Sequence, residues 1–246
     1  MKEGVLQVKA REMAIKTTRL TRRFMITSLL ALLVPIVLLA PQAYAESYVA
    51  GQFAVTFPQS LSNVKLTQDG FGGLSSSDLS LKSSLMGGIK LGHFFSRARW
   101  LGIETELFYT TPHIKDQDVI ISGPGGSLPL GPISGEYNRI LTWAPMNLVL
   151  RYHKTRLQPY IAIGPGIFFA TRKDADGGTQ SGTAIGLNSQ VGVRYYITRS
   201  WTVFGEGKYN LARIGYTSKD SDPDAALGFR ATYSAFIFSF GVSYHF

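Results

Sequence analysis

The sequence predicts an all-β chain: an eight-stranded antiparallel up-and-down barrel that crosses a membrane, behind an export leader. Three observations predict it. Hydropathy alternates with period two in eight segments after residue 45. The connections between those segments run alternately short and long. No apolar run after residue 45 is long enough for a membrane helix.

The leader comes first. Residues 9–23 are basic, residues 24–40 form an apolar run, and Pro41-Gln-Ala-Tyr-Ala45 carries small residues at 43 and 45. That order is the basic region, apolar region and A-x-A cleavage site of a secretory signal. The expected domains are therefore a signal peptide, 1–45, and a barrel, 46–246, with Glu46 as the new N-terminus. The alternative is an uncleaved membrane helix. The run is only 17 residues and Pro35 interrupts it, so cleavage is the better reading. Arg22-Arg23 is weak as a twin-arginine signal, because a barrel precursor must cross the inner membrane unfolded. The basic region is long, so Met13 is an alternative start to Met1.

Composition removes several function classes. The chain has no cysteine, so disulfides, thiolate metal sites and a lipoprotein anchor are excluded. The net charge is +9, but residues 1–45 hold seven basic and two acidic residues. The rest carries only +4, from 18 basic and 14 acidic side chains. This is not a nucleic-acid footprint. There is no phosphate-binding Gly loop; Gly123-Pro-Gly-Gly126 has no strand-to-helix context.

The eight strands follow in order. Residues 48–57 place Val49, Phe53, Val55 and Phe57 on one face. Residues 84–94 set Leu85, Ile89 and Leu91 against Met86, Gly88, Lys90 and Gly92. Residues 100–110 set Leu101, Ile103, Leu107 and Tyr109 against Gly102, Glu104, Glu106 and Phe108. Residues 140–153 set Ile140, Met146, Leu148, Leu150 and Tyr152 against Asn147, Val149 and Arg151.

In residues 159–170, Ile161, Ile163, Ile167 and Phe169 oppose Tyr160, Ala162, Gly164 and Gly166. In 184–197, Ile185, Leu187, Val191, Val193 and Tyr195 oppose Asn188, Gln190, Gly192 and Arg194. In 201–210, Trp201, Val203 and Tyr209 oppose Phe204, Glu206, Lys208 and Asn210. In 232–246, Phe236, Phe238, Phe240, Val242, Tyr244 and Phe246 oppose Ala235, Ile237, Ser239, Gly241, Ser243 and His245. Short turns are expected at 95–99, 154–158 and 198–200. Links of roughly 13 to 30 residues, rich in Gly, Ser, Asp and Pro, are expected elsewhere, as in transmembrane barrels. An even strand count puts both termini on the periplasmic side.

The orientation of the faces is decided by volume. Eight continuous apolar faces tipped with aromatic residues exceed what an eight-stranded lumen can hold, so they point to lipid. Gly, Ala and Ser then suit the narrow interior. The charged residues Lys90, Glu104, Glu106, Arg151, Arg194, Glu206 and Lys208 fall inside, most of them near the short turns. Buried charges are costly unless paired, and four basic with three acidic residues allow a nearly neutral network. The expected role is an ion-paired plug, ahead of conduction or catalysis.

Several strings are familiar once the strands are laid out. The end, Phe240-Gly-Val-Ser-Tyr-His-Phe246, resembles the C-terminal signal by which outer-membrane proteins engage the barrel-assembly machinery; Phe240, Val242, Tyr244 and Phe246 occupy its alternate positions. Pro145-Met-Asn-Leu-Val-Leu-Arg-Tyr152 with Gln158-Pro-Tyr-Ile-Ala-Ile-Gly-Pro-Gly166 resembles strands four and five of the eight-stranded outer-membrane barrels. Gly192-Val-Arg-Tyr195 with Trp201-Thr-Val-Phe-Gly-Glu-Gly-Lys-Tyr209 resembles strands six and seven. The resemblance is to the superfamily of the OmpA transmembrane domain, OmpX and OmpW, and covers residues 46–246. It implies an integral outer-membrane location, with outer-membrane lipids, lipopolysaccharide and the assembly machinery as partners; a monomer is expected, though the sequence does not fix the oligomeric state. It does not imply a function, and the peptidoglycan-binding domain that follows the OmpA barrel has no counterpart.

Three functions compete. The first is a non-enzymatic surface barrel with a structural or surface-interaction role, without cofactor, metal or nucleic acid; loops 58–82 and 111–139 would carry any binding, and their Gly and Pro content argues against a rigid pocket. The second is a narrow channel for small solutes, as in the OmpW type, although a charged eight-stranded lumen should conduct poorly. The third is a lipid-A-modifying enzyme, which needs a Ser nucleophile with a His base at the outer rim. Of His93, His113, His153 and His245, only His113 lies near that rim, and none stands in a His-x-Ser arrangement.

Overall fold

The computed structural model describes residues 46–66, 74–133, 137–173, 178–218 and 228–246. The leader, 1–45, lies outside the described residues. The chain divides after Tyr44 into two units, and every described strand belongs to the second, Ala45–Phe246. Twelve strands run in order: β1 Glu46–Pro58, β2 Ser62–Leu66, β3 Ser75–Ser76, β4 Ser84–Phe94, β5 Leu101–Thr110, β6 Gln117–Gly123, β7 Gly126–Ile133, β8 Tyr137–Arg151, β9 Leu157–Lys173, β10 Thr179–Tyr196, β11 Trp201–Ser218 and β12 Phe229–His245. Eight of them, β1-β4-β5-β8-β9-β10-β11-β12, pair antiparallel with their neighbours, and β1 pairs with β12 to close the barrel. Closure removes the exposed edges that an open sheet leaves. Each of these eight overlaps one segment read from hydropathy; β4 has the expected bounds, and the segments starting at 100 and ending at 153, 197 and 246 overrun their strands by one or two residues.

The strict alternation of burial shows which way each side chain points. On β1, Tyr48, Ala50, Gln52, Ala54 and Thr56 are buried, while Val49, Phe53, Val55 and Phe57 are exposed. On β12, Ala235, Ile237, Ser239, Ser243 and His245 are buried, whereas Phe240 is 72% exposed. The apolar faces thus form the outer wall. A wall this apolar far exceeds the patches of a few hundred Å² found on soluble monomers. Among the described residues no helix is long and apolar enough to cross a membrane, which does not bear on strands.

Two expectations need correction. Ile140 points inward and is fully buried, not outward with Leu148. The register of β8 slips by one residue against both β5 and β9 between Trp143 and Leu148. A bulge inserts one residue and reverses the facing of everything before it; Pro145, which has no amide to give the ladder, lies in that bulge.

The long links are also more ordered than their composition suggests. Strand β12 outruns β1, which stops at Pro58, and β2 takes over its edge from Ser62 to Leu66. Strand β3 joins β2 to β6, and β6–β7 form a hairpin. Strands β9 and β10 continue to Lys173 and from Thr179, so their link is short. The apolar residues of these stretches stand singly, as Leu61 and Ile114 do, or alternate too briefly to mark a strand, as Leu79 and Leu81 do. In three dimensions they pack with Phe108, Ile140, Phe168, Ile214 and Tyr233 into one cluster that fills the loop end of the barrel.

Candidate functional site

The lumen holds the chemistry, in layers. The middle layer is ionic. Lys90 projects from β4, Glu104 and Glu106 from β5, and Glu206 and Lys208 from β11, and all five are at most 5% exposed. Lys90 Nζ reaches Glu206 Oε1 at 2.5 Å and Glu104 Oε1 at 3.2 Å. Lys208 pairs with Glu106 and, at 3.3 Å, with Glu206. Glu206 therefore bridges the two lysines.

Polar neighbours bond to each of these ions. Gln190 accepts from Lys90 at 3.1 Å and donates to Glu104 at 2.6 Å. Gln52 accepts from Lys208 at 2.9 Å and donates to Glu106. The Tyr48 and Tyr160 hydroxyls donate to Glu104 and Glu206 respectively, and Ser239 donates to Glu206 at 3.1 Å. Such pairing is what makes buried ions tolerable, since an unpaired one costs several kcal/mol; the cost that remains falls on neutral amides, with Asn147 Nδ2, Asn188 Oδ1 and both amide atoms of Asn210 left without a partner among the described residues.

The layer nearer the short turns differs from the expected single network. Arg194 has no carboxylate within ion-pair distance among the described residues. Its guanidinium lies over the rings of Tyr48 at 4.2 Å, Tyr160 at 5.3 Å and Phe94 at 5.7 Å. Arg151 stacks on Phe94 at 3.5 Å and pairs with Glu46, a residue that sequence reading left outside the network. Glu46 also receives the Tyr196 hydroxyl, and its Oε1 lies 2.6 Å from His245 Nδ1. With Glu46 added, the charges of these two layers come to four basic and four acidic. The signal for Glu46 was its place at the start of a strand whose inward positions are 46, 48 and 50.

His245 has a second partner. Its Nε2 lies 3.1 Å from Ser243 Oγ. Glu46–His245–Ser243 thus has the connectivity of an acid–base–nucleophile relay, in a Ser-x-His order that a search for His-x-Ser passes over. The surroundings do not suit acyl transfer. Ser243 is 1% exposed and in contact with Thr202. Strand β12 is paired on both sides here, with Ala50 and Thr202 opposite Ser243, so the nearby amides are spent in the ladder and not free to hold an oxyanion. His113, expected at the rim, is bonded through Nδ1 to the Thr111 carbonyl at 2.7 Å and packs against Tyr137. His93 contacts Ser47 at 2.9 Å. Among the described residues no group of acidic and His side chains could hold a metal ion.

The outer wall completes the geometry. Trp100, Tyr152, Tyr195, Trp201, Tyr244 and Phe246 point outward at the short-turn end, all at least 40% exposed. Phe57, Tyr109, Phe169 and Phe236 do so toward the other end. Between them lies an apolar band, aliphatic on most strands and with Phe53, Phe238 and Phe240 on β1 and β12. The assembly-signal positions Phe240, Val242, Tyr244 and Phe246 all belong to this outer face.

The family of the outer membrane protein beta-barrel domain matches residues 29–246. The chain belongs to that family. As an outer-membrane barrel it is integral to that membrane, and its apolar band meets hydrocarbon. Among solved structures it is similar to OprG from Pseudomonas aeruginosa, at 15% identity and a TM-score of 0.51, covering 83% of this chain and 97% of that one. Neisserial surface protein A is 14% identical with a TM-score of 0.48, covering 80% and 96%. Ail, the attachment invasion locus protein of Yersinia pestis, is 15% identical with a TM-score of 0.45, covering 82% and 99%. The OprG likeness is one of fold alone. No curated protein matches the chain by sequence.

Proposed function

We propose that this outer-membrane barrel is a non-conducting, non-catalytic surface protein with a structural or surface-interaction role. The observation that carries this reading is the filling of the lumen at successive levels. A layer of two lysines and three glutamates, each ion paired or hydrogen-bonded, occupies the middle, and a large apolar cluster that includes Leu61, Leu79, Leu81 and Ile114 occupies the loop end. Moving either lysine would strand one buried carboxylate, Glu104 for Lys90 or Glu106 for Lys208. The folded β2–β3 and β6–β7 segments are then the surface presented outward, and both termini lie on the periplasmic side with the short turns. Outer-membrane lipids and lipopolysaccharide surround a monomeric barrel, and the outward Phe240, Val242, Tyr244 and Phe246 engage the barrel-assembly machinery during insertion.

Recording in planar bilayers tests the closed lumen. The expected result is no unitary conductance; clear single-channel steps would establish a pore instead. For catalysis, mass spectrometry of lipid A from cells with and without the protein should show identical acyl patterns. A missing or transferred acyl chain, abolished by S243A, would make the Ser243–His245–Glu46 relay an active site.

A further inference from the structure

The short-turn end carries a charge pattern that the lumen does not use. The turns at 95–100, 152–156 and 197–200 contain Arg97, Arg99, Lys154, Arg156 and Arg199 and no Asp or Glu. All five cations are exposed, and none has a carboxylate within ion-pair distance among the described residues. Three of them converge. Lys154, Thr155, Arg156, Tyr196, Thr198 and Arg199 line a depression of about 480 Å³ between the second and third turns.

The walls of this depression are fixed. The Tyr196 amide donates to the Arg156 carbonyl at 3.0 Å, tying one turn to the other. The Thr198 hydroxyl accepts from the Ser200 and Trp201 amides at 3.2 and 2.9 Å. The His245 amide donates to the Ser200 carbonyl at 2.7 Å. Glu46, which receives the hydroxyl of the lining Tyr196, is also held by Arg151 and His245 and makes no ion pair with the three cations.

We propose that this depression binds the phosphate of an anionic phospholipid headgroup in the leaflet at the short-turn end. Lys154, Arg156 and Arg199 supply the positive charge, and arginine offers the forked donors that suit phosphate oxygens. The surroundings point to a lipid and not to a free anion. The ring of outward aromatics, with Tyr152, Tyr195 and Trp201 beside the depression, marks the headgroup level. Leu157 and Ile197, each more than half exposed, flank it on the lipid side and would lie along the acyl chains. An anion anchored by its chains is presented to the cations at high effective concentration, whereas exposed cations hold a dissolved phosphate weakly.

The test uses the folded barrel in vesicles of phosphatidylcholine with and without phosphatidylglycerol, extracted gently and examined by native mass spectrometry for retained lipid. Each interfacial cation contributes roughly a fivefold preference for an anionic lipid. The expected result is selective retention of phosphatidylglycerol, reduced roughly tenfold or more in K154Q/R156Q/R199Q and largely kept in R97Q/R99Q. Inorganic phosphate should not displace the lipid. Insertion of each variant is checked by the heat-dependent gel shift of a folded barrel. If the triple variant does not insert, R156Q and R199Q carry the test singly, each with a loss of about fivefold. Equal retention of both lipids, a triple variant that behaves as wild type, an equal loss in R97Q/R99Q, or displacement by inorganic phosphate would each overturn the proposal.

Discussion

Replacing Lys90 with Met removes the cation that joins two carboxylates across the lumen, and its cost can be worked from the contacts. Glu206 keeps Lys208 at 3.3 Å, together with the Tyr160 and Ser239 hydroxyls. Glu104 keeps only neutral donors, Tyr48 and Gln190. One buried carboxylate is therefore stranded, not two. Breaking one buried pair costs about 3–5 kcal/mol. Neutralising the stranded partner as well, in K90M/E104Q, should recover about 2 kcal/mol of that loss, because the two residues touch and their effects are not additive. Urea unfolding in lipid vesicles, followed by the gel shift of folded against unfolded barrel, measures both. A loss below about 1 kcal/mol in K90M, or a double variant no better than the single one, would refute the view that these charges persist through mutual pairing.

The remaining predictions concern packing, closure and the lipid face. A Cβ at Gly164 would lie 2.2 Å from the Met146 carbonyl oxygen, whereas at Gly51 it meets nothing within 4 Å. Unfolding should show G164A destabilised by about 1–3 kcal/mol and G51A unchanged or slightly more stable. F238R places a charge in the middle of the outer wall and should cost about 2–4 kcal/mol, read by the same titration in bilayers. E46Q loosens the junction of β1 with Arg151 and His245; as Glu46 is partly exposed, the loss should be about 1 kcal/mol or less, with faster amide exchange at Tyr48 and His245 as the sharper readout.

The outer wall was legible because lipid imposes a period of two on large apolar residues, and nothing else in the chain competes with that signal. Strand β4 shows this most plainly, with Leu85, Ile89 and Leu91 against Lys90 and the glycines. The loop end was less legible for the opposite reason. There the inward side chains become apolar too, as with Phe168, Ala184, Ile214 and Tyr233, so hydropathy no longer distinguishes the faces and the pattern of strands β9 to β11 fades before the strands end. Ile140 was misplaced because a one-residue bulge leaves no mark in hydropathy beyond Pro145. Within the site, the charged positions could be named from alternation alone, but their partners could not. Glu46 lay at the edge of the leader, and the inward Tyr48, Tyr160 and Tyr196 looked like any other aromatic residues of a membrane sheet. That Arg194 is held by ring faces, and Arg151 by Glu46, follows from register across strands far apart in sequence.

The absence of native cysteine makes the decisive measurement simple. Nitroxide labels on single cysteines at Val191, Phe238 and Phe240 report access to oxygen, which concentrates in hydrocarbon, and to a water-soluble nickel chelate. An outer wall bathed in acyl chains predicts high oxygen and low nickel accessibility at all three sites, and the reverse at Arg97 in the first turn. Ready collisions with nickel at the three wall sites, or labels immobilised within a protein interior, would contradict it.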